Sequence, residues 1–126
     1  MIQKQKHKQI PIPDKLTSIP DAPESLFAIG DTLEDLLKKP RVAIVGSRKM
    51  TPYGRLVTEK FASELASKGI VIVSGLAYGV DACAHQSALS SGGKCIAVLA
   101  CGLDQMYPAA NKKLADNIVE KGGVIL

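Results

Sequence analysis

Val42-Ala43-Ile44-Val45, Ile70-Val71-Ile72-Val73 and Cys95-Ile96-Ala97-Val98-Leu99 are three unbroken apolar runs, each followed by a turn and a helical stretch. Short apolar runs without alternation are the pattern of strands buried on both faces of a parallel sheet. Between the first two, Thr51 caps a helix that has Pro52 at its first position and Val57, Phe61, Ala62, Leu65 and Ala66 as its apolar stripe. Gly69 stands where a left-handed C-terminal cap belongs. A second helix is predicted from about Val80 to Ser90, ended by Gly92-Gly93. A third, near Asn111–Glu120, is stopped by Gly122-Gly123, and Val124-Ile125-Leu126 begins a fourth strand. This alternation specifies an α/β fold: a Rossmann-like, doubly wound, mainly parallel sheet with helices on both faces. Right-handed crossovers place the first three strands side by side with 70–73 in the middle. The fourth fits either beyond the third or beside the first. Folds of this class usually have five or more strands, so the domain at 41–126 is expected to be partial, truncated after the fourth strand.

Outside that domain the sequence changes character. Residues 11–40 hold Pro11, Pro13, Pro20 and Pro23, which rule out a long helix. They read as an extended arm carrying a short strand, Leu26-Phe27-Ala28-Ile29, and a short helix through Leu33, Leu36 and Leu37. Asp31 or Thr32 caps that helix and Pro40 ends it. Residues 1–10 carry Lys4, Lys6 and Lys8 with no acid and read as a disordered basic tail.

Composition narrows the function classes. The chain has 126 residues, 46% apolar and 22% charged, with no Trp. No apolar run reaches the ~18 residues of a membrane span, and no apolar segment follows the basic start as in a signal peptide. Three cysteines without a CxxC argue against a disulfide scaffold or a zinc ribbon and suit a reducing cytoplasm. The net charge of +4 is unevenly spread. Lys38, Lys39, Arg41, Arg48, Lys49 and Arg55 lie between Asp35 and Glu59 with no acid among them, while the chain outside this stretch and the tail is net acidic. A basic zone on an acidic body suggests a polyanion partner; the plainer alternative is a solvated charged face.

In a doubly wound sheet, ligands bind at the carboxyl ends of the strands. The loops there are Gly46–Thr51, Ser74–Asp81 and Cys101–Asn111. The first two offer backbone N–H groups at helix N-termini, the hydroxyls of Ser47 and Ser74, and the forked cation of Arg48 beside Lys49. Gly46, Gly75 and Gly79 let backbone approach a phosphate, or else serve turn chemistry alone. The spacing is neither GxGxxG nor a P-loop, so ATP hydrolysis and a nucleotide cofactor are not indicated. Tyr53 and Tyr78 can stack on bases, or pack over the helix starts. Asp81 and His85 share a helix face; a cap and a loop hydrogen bond are preferred over an acid–base pair. Cys83, Cys95 and Cys101 read as buried thiols, with too few histidines near them for a metal site. No catalytic residue is assigned.

The stretches Val42–Arg48, Tyr53-Gly54, Ser74–Asp81, His85, Ala97–Asp104, Tyr107-Pro108 and Asn111, with Ile19–Pro23 and Leu26-Phe27 in the arm, resemble the DNA-processing protein A family (DprA, also called Smf) from about residue 11 to 126. The resemblance implies a binder rather than an enzyme. It implies sequence-independent binding of single-stranded DNA, DNA processing and uptake in natural transformation, and loading of the RecA recombinase. It also implies that Gly46, Ser47 and Arg48 form one phosphate-side loop and residues Ser74 to Asp81 the second. Tyr78 stands where the family usually has Arg, and the family's later Arg-Asn motif and main dimer contacts have no counterpart within the 126 residues. An uncovered sheet edge would then invite self-association through another surface. A rival class, the Rossmann-like nucleoside-monophosphate phosphoribohydrolases (the LOG group), resembles the chain in fold, but their Pro-Gly-Gly-x-Gly-Thr-x-x-Glu stretch is absent. A third alternative is an inert, shortened paralogue.

Overall fold

The structure, a computed structural model, describes residues 7–103 and 109–126. The chain runs β1 (Lys8–Pro11), a 3-10 turn at Asp14–Leu16, β2 (Ser25–Ala28), α1 (Leu33–Leu37), β3 (Arg41–Ala43), α2 (Pro52–Ser67), β4 (Val71–Ser74), α3 (Val80–Ser90), β5 (Cys95–Ala97), a 3-10 turn at Ala109–Asn111, α4 (Lys112–Glu120) and β6 (Val124–Ile125). Four strands form one parallel sheet in the order β3-β4-β5-β6. The strand at 71–74 lies between the first and third, as the crossover rule requires, and the fourth pairs beyond the third.

Strand order decides where the helices go. Every crossover steps in the same direction across the sheet, and a right-handed connection then puts each crossover helix on the same face. Ala62 and Ala66 of α2, Ala84, Ala88 and Leu89 of α3, and Ala115 and Ile118 of α4 accordingly share one core with Ile72, Cys95, Ala97 and Ile125. Alanine at the α2–α3 contact lets the helices approach closely. At Gly93 a Cβ would stand 2.5 Å from that of Ala66. The other face is covered by the arm: Leu33, Leu36 and Leu37 of α1 pack on Val71, Ile96 and Val124, with Ala28 and Ile10 beside them. Helices therefore lie on both faces, but only α1 supplies the second one.

Three expectations change. The basic tail does not extend disordered to residue 10, because Lys8–Pro11 pairs antiparallel with Ser25–Ala28. Residues 1–6 lie outside the described residues. Thr32 starts α1 without a side-chain cap; its hydroxyl instead donates to the Gly122 carbonyl at 2.8 Å, tying the arm to the sheet. The run Val42–Val45 is not buried on both faces. It is a terminal strand, with Val42 37% and Val45 71% exposed. Burial of such a run needs a strand on each side, and among the described residues only β4 flanks it. The opposite end of the sheet is closed: Ile29 and Ile125 exchange backbone hydrogen bonds at 2.8 and 3.0 Å.

Candidate functional site

The loops after β3 and β4 meet at the carboxyl end of the sheet. Thr51 caps α2, accepting the Gly54 N–H at 2.9 Å, with Pro52 at the first position. Gly79 begins α3 at φ +78°. The Val80 N–H donates to the Ser47 carbonyl at 3.1 Å, so the start of α3 is stitched to the first loop.

The glycines face protein. A Cβ on Gly79 would stand 2.2 Å from the Ser47 carbonyl oxygen and 2.8 Å from the Arg48 carbonyl. One on Gly46 would meet the Val80 side chain at 2.9 Å, and one on Gly75 the Asp81 carboxylate at 2.8 Å. Close approach of loop to loop is therefore what these three positions require.

Asp81 is the pin of this arrangement. Its buried carboxylate accepts the Gly46 N–H at 3.3 Å and the Gly75 N–H at 3.1 Å, one oxygen to each loop. The expected helix cap at Asp81 is thus a loop-to-loop bridge, and it engages two of the N–H groups that the sequence offers to a phosphate. Ser74 is buried and donates its hydroxyl to the Ile44 carbonyl at 2.5 Å, joining the ends of β3 and β4. Ser74 and Gly75 form the base of the site. Ser47, Arg48, Lys49, Tyr53 and Tyr78 form its exposed rim. The Ser47 hydroxyl accepts the Lys49 N–H at 3.0 Å, which folds the loop so that residues 47–49 turn back on themselves.

Two buried features lie beneath the loops. Leu76 is fully buried at φ +59°, a conformation that costs a non-glycine residue ~1–3 kcal/mol. Asn111 holds it there, donating its side-chain amide to the Leu76 carbonyl at 2.9 Å. His85 is wholly buried one turn after Asp81, with neither ring nitrogen in a hydrogen bond of good geometry. Burial lowers its pKa to about 4, only partly offset by the Asp81 carboxylate and the Ser74 backbone, so the ring is neutral near pH 7. The loop contact expected of His85 is to the Ser74 backbone, at the start of the second loop.

The basic stretch is divided by the fold. The Arg41 guanidinium donates to the Leu37 and Lys39 carbonyls at 2.5 and 2.9 Å and closes the end of α1. Lys38, Lys39 and Arg41 thus sit at the amino end of β3. Arg48 and Lys49 sit at its carboxyl end, near Arg55, which pairs with Glu59 at 2.9 Å. Of the cysteines, Cys95 alone is fully buried, its thiol pushed up to about 12 by desolvation. Cys83 is half-buried and raised for the same main reason, and Cys101 is exposed. Among the described residues no three metal-ligating side chains gather, and no helix is long and apolar enough to cross a membrane. Tyr107 and Pro108 lie outside the described residues.

The sequence and the fold have counterparts among known proteins. The family model described as DNA recombination-mediator protein A matches residues 5–126. DNA processing protein DprA of Streptococcus pneumoniae is 51% identical over 106 residues, covering 84% of this chain and 36% of that protein. The Bacillus subtilis DprA is 41% identical over 116 residues, covering 88% and 39%. A solved structure of DNA processing protein A from Helicobacter pylori, described for its single-stranded DNA binding mode, superposes with a TM-score of 0.84 at 38% identity. It covers 99% of this chain and 57% of that one. The X-ray structure of the S. pneumoniae protein gives 0.82 at 45% identity, covering 96% and 43%. The chain spans little more than a third of the length of these two relatives.

Proposed function

This chain belongs to the DNA recombination-mediator protein A family, and we propose that it binds single-stranded DNA without sequence preference through the rim built on Ser47, Arg48 and Lys49. The observation that carries this reading is the exposed Gly46–Lys49 loop, held rigid from below by Asp81 and Gly79 and placed at the carboxyl end of a parallel sheet. A guanidinium and an ammonium on a preorganised loop recognise the sugar-phosphate backbone, which every sequence shares. Tyr53 is 76% and Tyr78 44% exposed, and each stands beside the loop as a stacking platform for bases. The solved H. pylori relative, described for its single-stranded DNA binding, supports the substrate class. The wider role follows from the family: DNA processing during transformation in the cytoplasm, as a binder rather than an enzyme, with the strand passed to the RecA recombinase.

The pinned geometry changes which residues carry the contact. Ser74, Gly75 and Gly79 support the loop, while Arg48, Lys49 and the tyrosines meet the strand. Arg48→Ala is expected to weaken binding of a labelled oligonucleotide by ~1–3 kcal/mol and to flatten the salt dependence by about 0.7 in log–log slope. Lys49→Ala does less, since an ammonium is a less directed contact. Fluorescence anisotropy over a salt series reads both. Parental binding by Arg48→Ala across the whole series would refute the loop as the DNA site.

A further inference from the structure

We propose that Asn111 is a positioning residue for the DNA-binding rim: its side-chain amide, donated across to the Leu76 and Ala77 carbonyls, fixes the Tyr78 ring where a base stacks on it, an inference that rests on the reading of that rim as the single-strand site.

Asn111 stands at the start of α4, where an Asn side chain ordinarily accepts an N–H of its own helix. It makes no such capping bond. Its amide nitrogen donates instead to the Leu76 carbonyl at 2.9 Å and the Ala77 carbonyl at 3.4 Å, 35 and 34 residues earlier in the chain. Both partners are acceptors, which calls for an NH₂ group and excludes Asp, an equally good cap. The residue type at 111 is therefore explained by the loop it reaches and not by the helix it begins.

What the amide holds is a strained turn. Leu76 at φ +59° and Gly79 at φ +78° bracket Ala77 and Tyr78 with two left-handed residues. Glycine adopts this conformation freely; leucine does so only where its surroundings over-determine it. Burial of the Leu76 side chain fixes one side of the residue, and the Asn111 amide on its carbonyl fixes the other. The Ala77 carbonyl also accepts the Ala82 N–H at 3.1 Å, which joins the turn to the start of α3. Beyond Tyr78, the Val80 bond to Ser47 and the close fit of Gly79 hold the chain. Tyr78 thus lies between two anchorages, one to Asn111 and one to the Gly46–Lys49 loop. Without the amide, Leu76 returns to negative φ, the Leu76–Ala77 peptide turns over, and the ring leaves its place beside that loop. Loss of the hydrogen bond is offset by release of the backbone strain, so the fold keeps its stability while the site loses its shape.

A double-mutant cycle tests this, read by anisotropy of a labelled oligonucleotide on the full chain. Tyr78→Ala is expected to weaken binding roughly 5- to 150-fold, the worth of one stacked base. Asn111→Ala should weaken it about 3- to 10-fold, as for a turn that holds the binding geometry only a tenth to a third of the time. In the Tyr78→Ala background the same change should have less than about a 1.5-fold effect, because Asn111 acts through the ring. The salt slope of Asn111→Ala should equal the parent's, since no phosphate contact is removed. Without DNA, amide exchange at Ala77 and Tyr78 should accelerate in Asn111→Ala while Gly46 and Gly75 stay protected, with the thermal melt within about 3 °C of the parent. Asn111→Asp sets a carboxylate against two carbonyls and should weaken binding at least as much. Parental binding by Asn111→Ala, or unchanged exchange at residues 77 and 78, would overturn the proposal. So would parental binding by Tyr78→Ala, or an Asn111→Ala effect that persists in full without the ring. Arg48→Ala reads the earlier assignment separately: parental binding there refutes the loop contact, while the Tyr78 cycle and the exchange rates still decide the role of Asn111.

Discussion

Replacing Asp81 by Asn removes the charge that bridges the two loops while keeping the side chain's shape. The carboxylate accepts one N–H from Gly46 at 3.3 Å and one from Gly75 at 3.1 Å in a buried setting. Asn has a single acceptor oxygen and must turn its NH₂ toward one of the two donors. One hydrogen bond to a charged group is lost, and a buried N–H is left unsatisfied. Each effect is worth ~1–3 kcal/mol, and the long distances favour the lower half, so the expected loss is about 2–3 kcal/mol. With a urea m-value of ~2 kcal/mol/M for a domain of this size, the unfolding midpoint falls by about 1–1.5 M. Urea unfolding followed by circular dichroism measures it, and amide exchange at Gly46 and Gly75 localises it. Exchange there should accelerate while the β4–β5 core stays protected. If Asp81 were instead one half of an acid–base pair, the variant would keep its stability. A midpoint within about 0.2 M of the parent, corresponding to ~0.4 kcal/mol, refutes the bridging role.

Two further outcomes follow from the same end of the sheet. Gly79→Ala forces a Cβ to 2.2 Å from the Ser47 carbonyl oxygen at φ +78°. The expected loss is roughly 3 kcal/mol of stability together with weaker oligonucleotide binding, read by urea unfolding and anisotropy on one preparation; parental values in both would remove the loop-contact argument. His85 has a native pKa of about 4 against 6.5 for the free side chain, so between these values the unfolded chain binds more protons. Its contribution is complete above pH 6.5 and is lost as pH falls toward 4, ~3 kcal/mol in all. A His85→Leu variant should show a flatter decline across that window, and an unchanged slope in paired pH-dependent melts would count against it.

The alternation of short apolar runs with capped helices was legible without coordinates, because strand and helix periods, proline and glycine act over a few residues. Val42–Val45, Ile70–Val73 and Cys95–Leu99 announced a parallel sheet, Thr51-Pro52 marked a helix start, and handedness ordered the first three strands. Gly46–Lys49 could likewise be placed at a carboxyl end, since a loop's position in an α/β unit follows from chain order.

Long-range contacts decided the rest. A buried-strand run looks the same whether it lies in mid-sheet or at the edge; exposure of Val42 and Val45 depends on what flanks β3, and composition does not encode that. Asp81 at the start of a helix reads as a cap, and only the meeting of two loops separated by some thirty residues turns it into a bridge. The six cations between Asp35 and Glu59 are one zone along the chain and two in space, because β3 runs through the middle of them. Local sterics write elements into sequence, whereas burial, charge placement and loop-to-loop bonding come into existence only when segments distant in the chain are packed together.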